Sequence, residues 1–398
     1  MDFTEHNINK LVDYFKGACT QEQKLGLELE HFVISSETHE SLPYENGVEE
    51  ILNELQPAYG DSILSQNRIV GIDRKGTTIT LEPAAQLELS IEACKSIQEI
   101  AEIYKLFEEM IFPILKKRNC ELACLGYQPK SQIDNLALIP KSRYGFMDMH
   151  FKSTGTKGKN MMRGTASTQV SIDYEDEEDF KKKFRVANIL GPLFSFICDN
   201  TTTFEGEAYE GQMLRTVIWN DVDPERSMVV AGSLDEPFGF YEYAKYIYDS
   251  PPIILTENEN TIYTGFKTNS ELFLSTPLSQ DDIAHITSMV FPDVRLKQYI
   301  EIRMADSLPI DEALSYVAFI KGLLYNKPNL ELLHELTIGI KNIDVAEAKN
   351  KLILEGNNST IYEKPCKQWI AELFSLAESG TVGSEKFFLK PLQEKQNV

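Results

Sequence analysis

"KLGLELEHFVIS" (24–35) alternates two glutamates with two leucines, and the fold is read from that alternation. Successive residues of an extended strand point to opposite faces, so Glu28 and Glu30 share one side while Leu27 and Leu29 share the other. The same grammar returns in three further stretches. In "TLEPAAQLELS" (80–90), Leu87 and Leu89 leave Gln86 and Glu88 on the opposite face, with Glu82 just before the bend at Pro83. In "TQVSIDY" (168–174), Gln169, Ser171 and Asp173 alternate with Val170, Ile172 and Tyr174; in "YIEIRM" (299–304), Glu301 and Arg303 alternate with Ile300, Ile302 and Met304. Four strands with one polar, carboxylate-rich face are predicted.

A wet face of an antiparallel sheet is the ordinary reading of any one such strand. Wet faces, however, mix lysine and threonine with glutamate, and few lysines are interleaved here. Same-face neighbours stand about 7 Å apart, so an ionised pair repels by roughly 2 kcal/mol at an effective dielectric of about 20. Several such pairs in one cleft call for cations between them. Carboxylates without accompanying histidine or cysteine select Mg2+, Mn2+ or Ca2+ over zinc. Arg303, and Arg215 in "GQMLRTVIW" (211–219), add groups that clamp phosphate or carboxylate oxygens. Metal ions and arginines around oxyanions are the equipment of phosphoryl transfer.

The rest of the chain sets bounds on this reading. With 39 basic against 61 acidic residues and a net charge of -22, general binding to nucleic acid or anionic membranes is disfavoured. Six cysteines without CxxC pairs, and a start "MDFTEHNINK" lacking a signal pattern, fit a reducing cytoplasm. Cys120 and Cys124 read as buried thiols rather than half of a zinc site. The longest apolar run, "VANILGPLFSFIC" (186–198), is too short and broken to span a bilayer and reads as a core helix. Helices are predicted over 46–56, 96–119, 176–199 with Asp176 as cap, 239–249, and several segments after Pro309. Strands are predicted at "GLELEHFVI", "TTITLEP", "AQLELS", "ELACLGY", "TASTQVSIDY", "GQMLRTVIW" and "QYIEIRM". This pattern gives an α+β fold in a single domain over 1–398, with 308–398 mainly helical and a polar tail, "LQEKQNV".

Other nucleotide-binding devices are missing. "STGTKGKNMM" (153–162) has Ser153 where a phosphate loop needs its first glycine, and reads as a mobile surface loop. No GxGxxG follows a predicted strand, no GxSxG is present, and the six histidines form no HExxH. His31, alone on its strand, reads as a satisfied structural residue.

Eight stretches together resemble the glutamate-cysteine ligases, particularly the plant-type branch shared with many bacteria. They are "GLELEHF" (26–32), "ITLEPAAQLELS" (79–90), "LGYQPK" (125–130), "IPKSRYGFM" (139–147), "MMRGTASTQVSIDY" (161–174), "LRTVIWNDVD" (214–223), "PFGFYEYAKY" (237–246) and "FPDVRLKQYIEIRMAD" (291–306). They occur in the family's order. The resemblance implies a curved, mainly antiparallel sheet forming a funnel, with Mg2+ (or Mn2+) and ATP on its acidic inner face. It implies that Glu28, Glu30, Glu82, Glu88 and Glu301 are metal ligands, and that Gln86 and Gln169 are polar pocket residues near metals and substrates. By the same resemblance Arg303 meets the transferred phosphoryl group and Arg215 holds a substrate carboxylate. Arg303 and Glu30 are the candidate catalytic residues; Arg303 and Glu301 are the candidate ATP contacts. The implied reaction joins the γ-carboxylate of L-glutamate, activated as γ-glutamyl phosphate, to the amino group of L-cysteine.

Two departures bear on the acceptor. Family members usually carry two glycines at Ala84 and Ala85, and plant members an asparagine at Ser171. A left-handed alanine costs about 1 to 2 kcal/mol, so either the bend differs in shape or something bulky no longer approaches it. A γ-glutamyl ligase with another amine acceptor, and a non-catalytic relative that binds metal or nucleotide, are therefore the alternatives.

Overall fold

The four acidic stretches pair edge to edge, as their two-residue period requires. In the computed structural model, which describes residues 2–235, 237–257 and 260–397, nine strands form one sheet. They are β1 (Leu25–Ser35), β2 (Asp61–Ser65), β3 (Arg68–Arg74), β4 (Thr77–Leu81), β5 (Leu87–Cys94), β6 (Cys120–Ala123), β7 (Ser167–Ile172), β8 (Val294–Leu296) and β9 (Ile300–Asp306). The order is β8-β9-β7-β1-β5-β4-β3-β2, with β6 on the far half of β1, every pairing antiparallel and the sheet not closed into a barrel.

Register carries the polar residues onto one face. Directly opposed residues of an antiparallel pair point the same way. One row runs Arg295, Glu301, Ser171, Gly26; the next, Gln169, Glu28, Ser90; the third, Glu30, Glu88, Thr80. The other face presents Leu25, Leu27, Leu29, Leu87, Leu89, Val170, Ile300 and Ile302, all buried. His31 shares that face. Its ring nitrogens meet Leu87 O at 3.3 Å and Tyr104 Oη at 3.2 Å, and burial lowers its pKa to about 4, so it is a neutral core residue.

The helices are α1 (Thr4–Lys16), α2 (Glu49–Tyr59), α3 (Ile97–Lys117), α4 (Ser142–Thr154), α5 (Gly158–Gly164), α6 (Glu177–Ile197), α7 (Leu214–Trp219), α8 (Phe240–Asp249), α9 (Asn269–Leu272), α10 (Gln280–Ser288), α11 (Ile310–Leu324), α12 (Lys327–Thr337), α13 (Asn342–Glu355), α14 (Cys366–Gly380) and α15 (Lys390–Gln396). α3, α6 and α11 cover the apolar face, with Ser96 and Asp176 capping α3 and α6 through Glu99 and Asp179 N–H. α4, α5 and α7 lie over the polar face. No helix of the described residues is long and apolar enough to cross a membrane.

Several elements differ from expectation. "GQMLRTVIW" is not a strand: its last six residues form α7, entered through Met213 at φ 54°. Thr216, Val217 and Ile218 favour a strand, but burial of this short turn overrides propensity. "STGTKGKNMM" is not a surface loop either. It leads into α5, where Gly158 lies so close to Phe151 that an added Cβ would sit 2.5 Å from it, and Met161 and Met162 are buried. The strand expected at "ELACLGY" is confined to Cys120–Ala123, and the helix expected from 46 begins at Glu49, after Asn46 turns left-handed at φ 58°. "LQEKQNV" is mostly helix, not tail: α15 docks Leu392 on the core while Ser315 Oγ donates to Leu389 O at 2.9 Å. Its last residue, 398, lies outside the described residues.

Candidate active site

Above the polar face lies a cavity of about 330 Å3. Glu28, Glu30, Glu82, Gln86, Glu88, Gln169, Arg215 and Arg303 all line it, so eight of the nine sequence-predicted residues are brought together. The ninth, Glu301, lies beneath, fully buried.

The carboxylates fall into two electrostatic classes. Glu301 accepts from Arg295 Nε at 2.7 Å and Nη2 at 2.6 Å, from Lys297 Nζ at 3.1 Å and from Arg303 Nη1 at 2.7 Å. Burial alone would raise its pKa; Arg295, Lys297 and Arg303 together override it and hold the carboxyl well below the usual range. Both oxygens accept from cations, so Glu301 anchors Arg295 and Arg303 in the structure. Glu28, Glu30 and Glu88 behave oppositely. Burial, then Glu301 and Glu88, push Glu28 up to about 8; burial, then Glu82 and Glu88, push Glu30 up to about 8; burial and Glu82 raise Glu88. Glu30 accepts from Ser167 N at 2.7 Å and Gln169 Nε2 at 3.1 Å, and Glu88 from Thr80 Oγ1 at 2.8 Å, but these bonds do not offset the repulsion.

This acidic end fits a divalent cation. Glu28 has no side-chain hydrogen bond among the described residues, and three half-buried carboxylates held toward protonation lack the counter-charge a hard ion would bring. Among the described residues no three metal-ligating side chains close into a preformed cage. Mg2+ is commonly held by one or two carboxylates with substrate phosphates completing the shell.

The cations face these acids across the cavity. Arg215, second residue of α7, is buried, and desolvation lowers its pKa; its Nε has no partner, and its guanidinium lies 5.6 Å from the Trp219 ring. Glu30, Asp306 and Asp293 favour its charge, but no carboxylate is bonded to it among the described residues, so its guanidinium is a ready receptor for an anionic group. Arg303 donates to Glu301 and to Gln169, whose other amide end donates to Glu30, so Gln169 couples the arginine to the acidic end. Gln86 does something else. Its Oε1 accepts from Ala84 N at 2.8 Å and its Nε2 donates to Met162 O and Thr165 O, so its amide pins the Glu82–Gln86 bend to α5 and is spent on backbone.

Sequence reasoning missed Arg295, Lys141, Arg143 and Tyr144, which also line the cavity. Lys141 Nζ and Tyr144 Oη both donate to Leu81 O, at 2.9 and 3.2 Å, beside the bend that carries Glu82. Arg295 lies directly opposite Glu301 on the neighbouring strand, a pairing that depends on the turn between the two strands and not on local period. Ala84, Ala85 and Ser171 do not line the cavity. Ala85 keeps the left-handed conformation a glycine would take, at φ 68°, while the Ala84 methyl packs on Ile133 and Leu136. Ser171 is opposed to Gly26 on one side and Glu301 on the other.

Known proteins resemble this chain over most of its length. Residues 24–351 match the model of glutamate-cysteine ligase family 2. The chain is 27% identical over 381 residues to glutamate–cysteine ligase B, chloroplastic, of Oryza sativa subsp. japonica, covering 93% of this chain and 76% of the relative. It is 26% identical over 380 residues to the chloroplastic glutamate–cysteine ligase of Arabidopsis thaliana, covering 93% and 73%. Its fold resembles the crystal structure of a Francisella tularensis glutamate–cysteine ligase in complex with AMP, with a TM-score of 0.55 and 10% identity over 95% of this chain and 82% of that one.

Proposed function

The chain belongs to glutamate-cysteine ligase family 2, and from that premise we propose that it is an ATP-dependent ligase that joins the γ-carboxylate of L-glutamate to the amino group of L-cysteine, with release of ADP and phosphate. The observation that carries this reading is a single cavity lined both by mutually repelling carboxylates and by a buried arginine with no side-chain hydrogen bond among the described residues. Such a site lacks both a cation and an anion, and a metal-nucleotide with an anionic donor provides both.

A free carboxylate is a poor electrophile. Its oxygen therefore attacks the γ-phosphorus of ATP, ADP leaves, and the amine displaces phosphate from the resulting γ-glutamyl phosphate while losing a proton. Glu28, Glu30, Glu82 and Glu88 would hold Mg2+ or Mn2+; when bound, the ion neutralises phosphate charge and polarises the transferring group. Arg215 binds the donor's α-carboxylate, which leaves the γ-carboxylate free to react. Arg303, held by Glu301 and Gln169, stabilises charge on the phosphoryl group in flight. Glu301 and Arg295 fix that arginine in advance, and Gln86 fixes the bend from which Glu82 projects. Cysteine is favoured as acceptor because both departures from the family pattern, at Ala84–Ala85 and at Ser171, lie outside the cavity lining.

The test is product mass spectrometry on folded, metal-loaded protein supplied with ATP, L-glutamate and a panel of amino acids and amines. We expect γ-glutamylcysteine and stoichiometric ADP, and transfer of oxygen-18 from labelled glutamate carboxylate to phosphate. Absence of turnover across the whole panel would sink the ligase reading; a different dominant product would replace cysteine as acceptor.

A further inference from the structure

Three pieces of chain wall the cavity above the sheet, and one buried charge cluster that the reaction does not use ties them together. α4 carries Arg143 and Met147 into the lining, and His150 follows at the next helical step of the same stripe. α7 carries Arg215 and Trp219, and the chain turns back after it through "NDVDPER" (220–226). Ser288, at the end of α10, and Phe291 just beyond it form the third piece.

The cluster is His150, Asp223 and Arg226, all buried and none of them lining the cavity. Asp223 Oδ2 accepts from Arg226 Nε at 2.6 Å and lies 3.2 Å from His150 Nε2, while Oδ1 accepts from Glu225 N at 3.2 Å. Burial would raise the Asp223 carboxyl, but His150, Arg226 and Glu225 N–H together hold it below its ordinary pKa, so it is an anion. The proton of the His150 ring therefore belongs on Nε2, where it meets that anion, although Arg226 Nη2 stands 3.4 Å from the same nitrogen. On Nδ1, which is buried without a partner, it would have no acceptor. Arg226 completes the tie: Nη1 donates to Pro251 O at 2.7 Å and to Met289 O at 3.2 Å, and its carbonyl accepts from Phe291 N at 2.7 Å.

What the cluster fixes is α7. A helix of six residues does not hold its own place, and the side-chain bonds of Asp199 to Met213 N and of Thr216 to Ser195 secure only its start and middle. The segment after it is held by Asp223, and through His150 by α4, whose other end is bonded to Leu81 O by Lys141 and Tyr144. Thr154 Oγ1, also on α4, adds a second tie by donating to Val222 O at 2.7 Å. We propose that His150, Asp223 and Arg226 are positioning residues, which lock the end of α7 to α4 and to the Phe291 segment and so set Arg215 for the donor's carboxylate. That last step rests on the ligase reading above; the lock on α7 does not.

The experiment uses Trp219, on α7, as reporter in the full chain carrying Trp369→Phe, which leaves one tryptophan of the two. His150→Phe keeps a ring and removes the N–H, whereas His150→Gln keeps an N–H donor. In His150→Phe, Trp219 emission is expected to shift and KM for L-glutamate to rise about tenfold, with kcat and KM for ATP held within about twofold. In His150→Gln, emission and KM should return to within about twofold of the parent. Arg215→Ala itself raises KM for glutamate, and in that background His150→Phe should add less than about twofold, since the group it positions is gone. Parental KM and emission in His150→Phe, equal defects in the Phe and Gln variants, or the full further rise in the Arg215→Ala background would each overturn the proposal. So would a KM for ATP that rises as far as that for glutamate, because the whole cavity would then have loosened. Should His150→Phe not fold, Thr154→Val, which cuts the second tie, and Thr154→Ser, which keeps it, make the same comparison. Emission needs no turnover, so a chain without ligase activity whose Trp219 shifts in the Phe variant and recovers in the Gln variant keeps the lock and loses the ligase. Normal ligase activity with unmoved emission sinks the lock alone.

Discussion

Glu301 and Glu28 project from the same face of one sheet, in adjacent rows of the register, yet they stand in opposite electrostatic states. Glu301 is fully buried and surrounded by Arg295, Lys297 and Arg303, which hold it ionised. Glu28 is more open and has no cation bonded to it, and burial with Glu301 and Glu88 holds it toward protonation. The difference teaches that the β8–β9 end of the face is complete as folded, whereas the β1–β5 end is complete only when something positive arrives. Structural acids carry their own counter-charge; acids kept for a ligand do not.

Removing an acid from the incomplete end should have the largest effect on activity. Glu28→Gln or Glu30→Gln is expected to lower kcat/KM by at least about 10^2 to 10^3-fold, because metal-borne charge stabilisation is lost where the phosphoryl group moves. The same variants should be more stable than the parent without metal. Both pKa values are raised, so each acid's contribution to stability is lost as pH rises from about 4.5 to about 8, and glutamine removes that loss. Urea unfolding at pH 5 and pH 8 would show it: a variant no more stable than the parent at pH 8 would mean that these acids are not in conflict.

At the complete end the sign reverses. Glu301→Gln leaves buried Arg295 and half-buried Lys297 and Arg303 facing a neutral amide and should destabilise the protein by about 3 kcal/mol. Adding Arg295→Met should recover part of this loss, since one uncompensated charge is then replaced by an apolar side chain. If Glu301→Gln were as harmless to folding as Glu28→Gln, the contrast between the two ends would be void.

Mg2+ should act on one end only. Saturating Mg2+ with a non-hydrolysable ATP analogue, at about a hundred times Kd, is expected to stabilise the parent by about 2.7 kcal/mol. Glu28→Gln should lose most of that gain and Ser171→Asn little, because Ser171 lies outside the cavity. Protons compete for the raised acids, so the Mg2+ effect should grow between pH 6 and pH 8.

Which half of this contrast could be read from sequence follows from distance along the chain. The acidic stripe was legible because period two is local: Glu28 and Glu30, or Glu88 with Leu87 and Leu89, declare their face within a few residues. The completeness of Glu301 was not, because its main partner Arg295 belongs to the next strand and its position depends on the turn between them. α7 was misread because its β-branched Thr216, Val217 and Ile218 suit a strand, while burial of Leu214, Thr216 and Ile218 overrides that propensity and Asp199, 14 residues before Met213, holds the backbone just ahead of the helix. Gln86 was assigned to substrates since a strand glutamine facing a cavity looks available; that it is spent on Met162 O and Thr165 O depends on α5, which was itself read as a loop. Local periodicity shows which side a residue faces, and long-range pairing shows whether its charge is already answered.

The smallest expected effect concerns the bend that carries Glu82 at the incomplete end. Ala85 is left-handed at φ 68°, and glycine there would relieve about 1 to 2 kcal/mol of strain. Against this, glycine gives the unfolded chain back about 0.4 to 1 kcal/mol of conformational freedom and removes a buried methyl worth about 0.8 kcal/mol. The two sides nearly cancel, so Ala85→Gly should shift stability by less than about 0.5 kcal/mol. Ala84 is buried beside Ile133 and Leu136 and has no positive φ to relieve, so Ala84→Gly should destabilise by about 1 to 2 kcal/mol. Neither methyl lines the cavity, and preference for cysteine over other amines should survive both changes. Equal losses from the two variants in urea unfolding would show that residue 85 does not hold the left-handed turn. A change of preferred amine would show that the bend shapes the acceptor's side of the cavity after all.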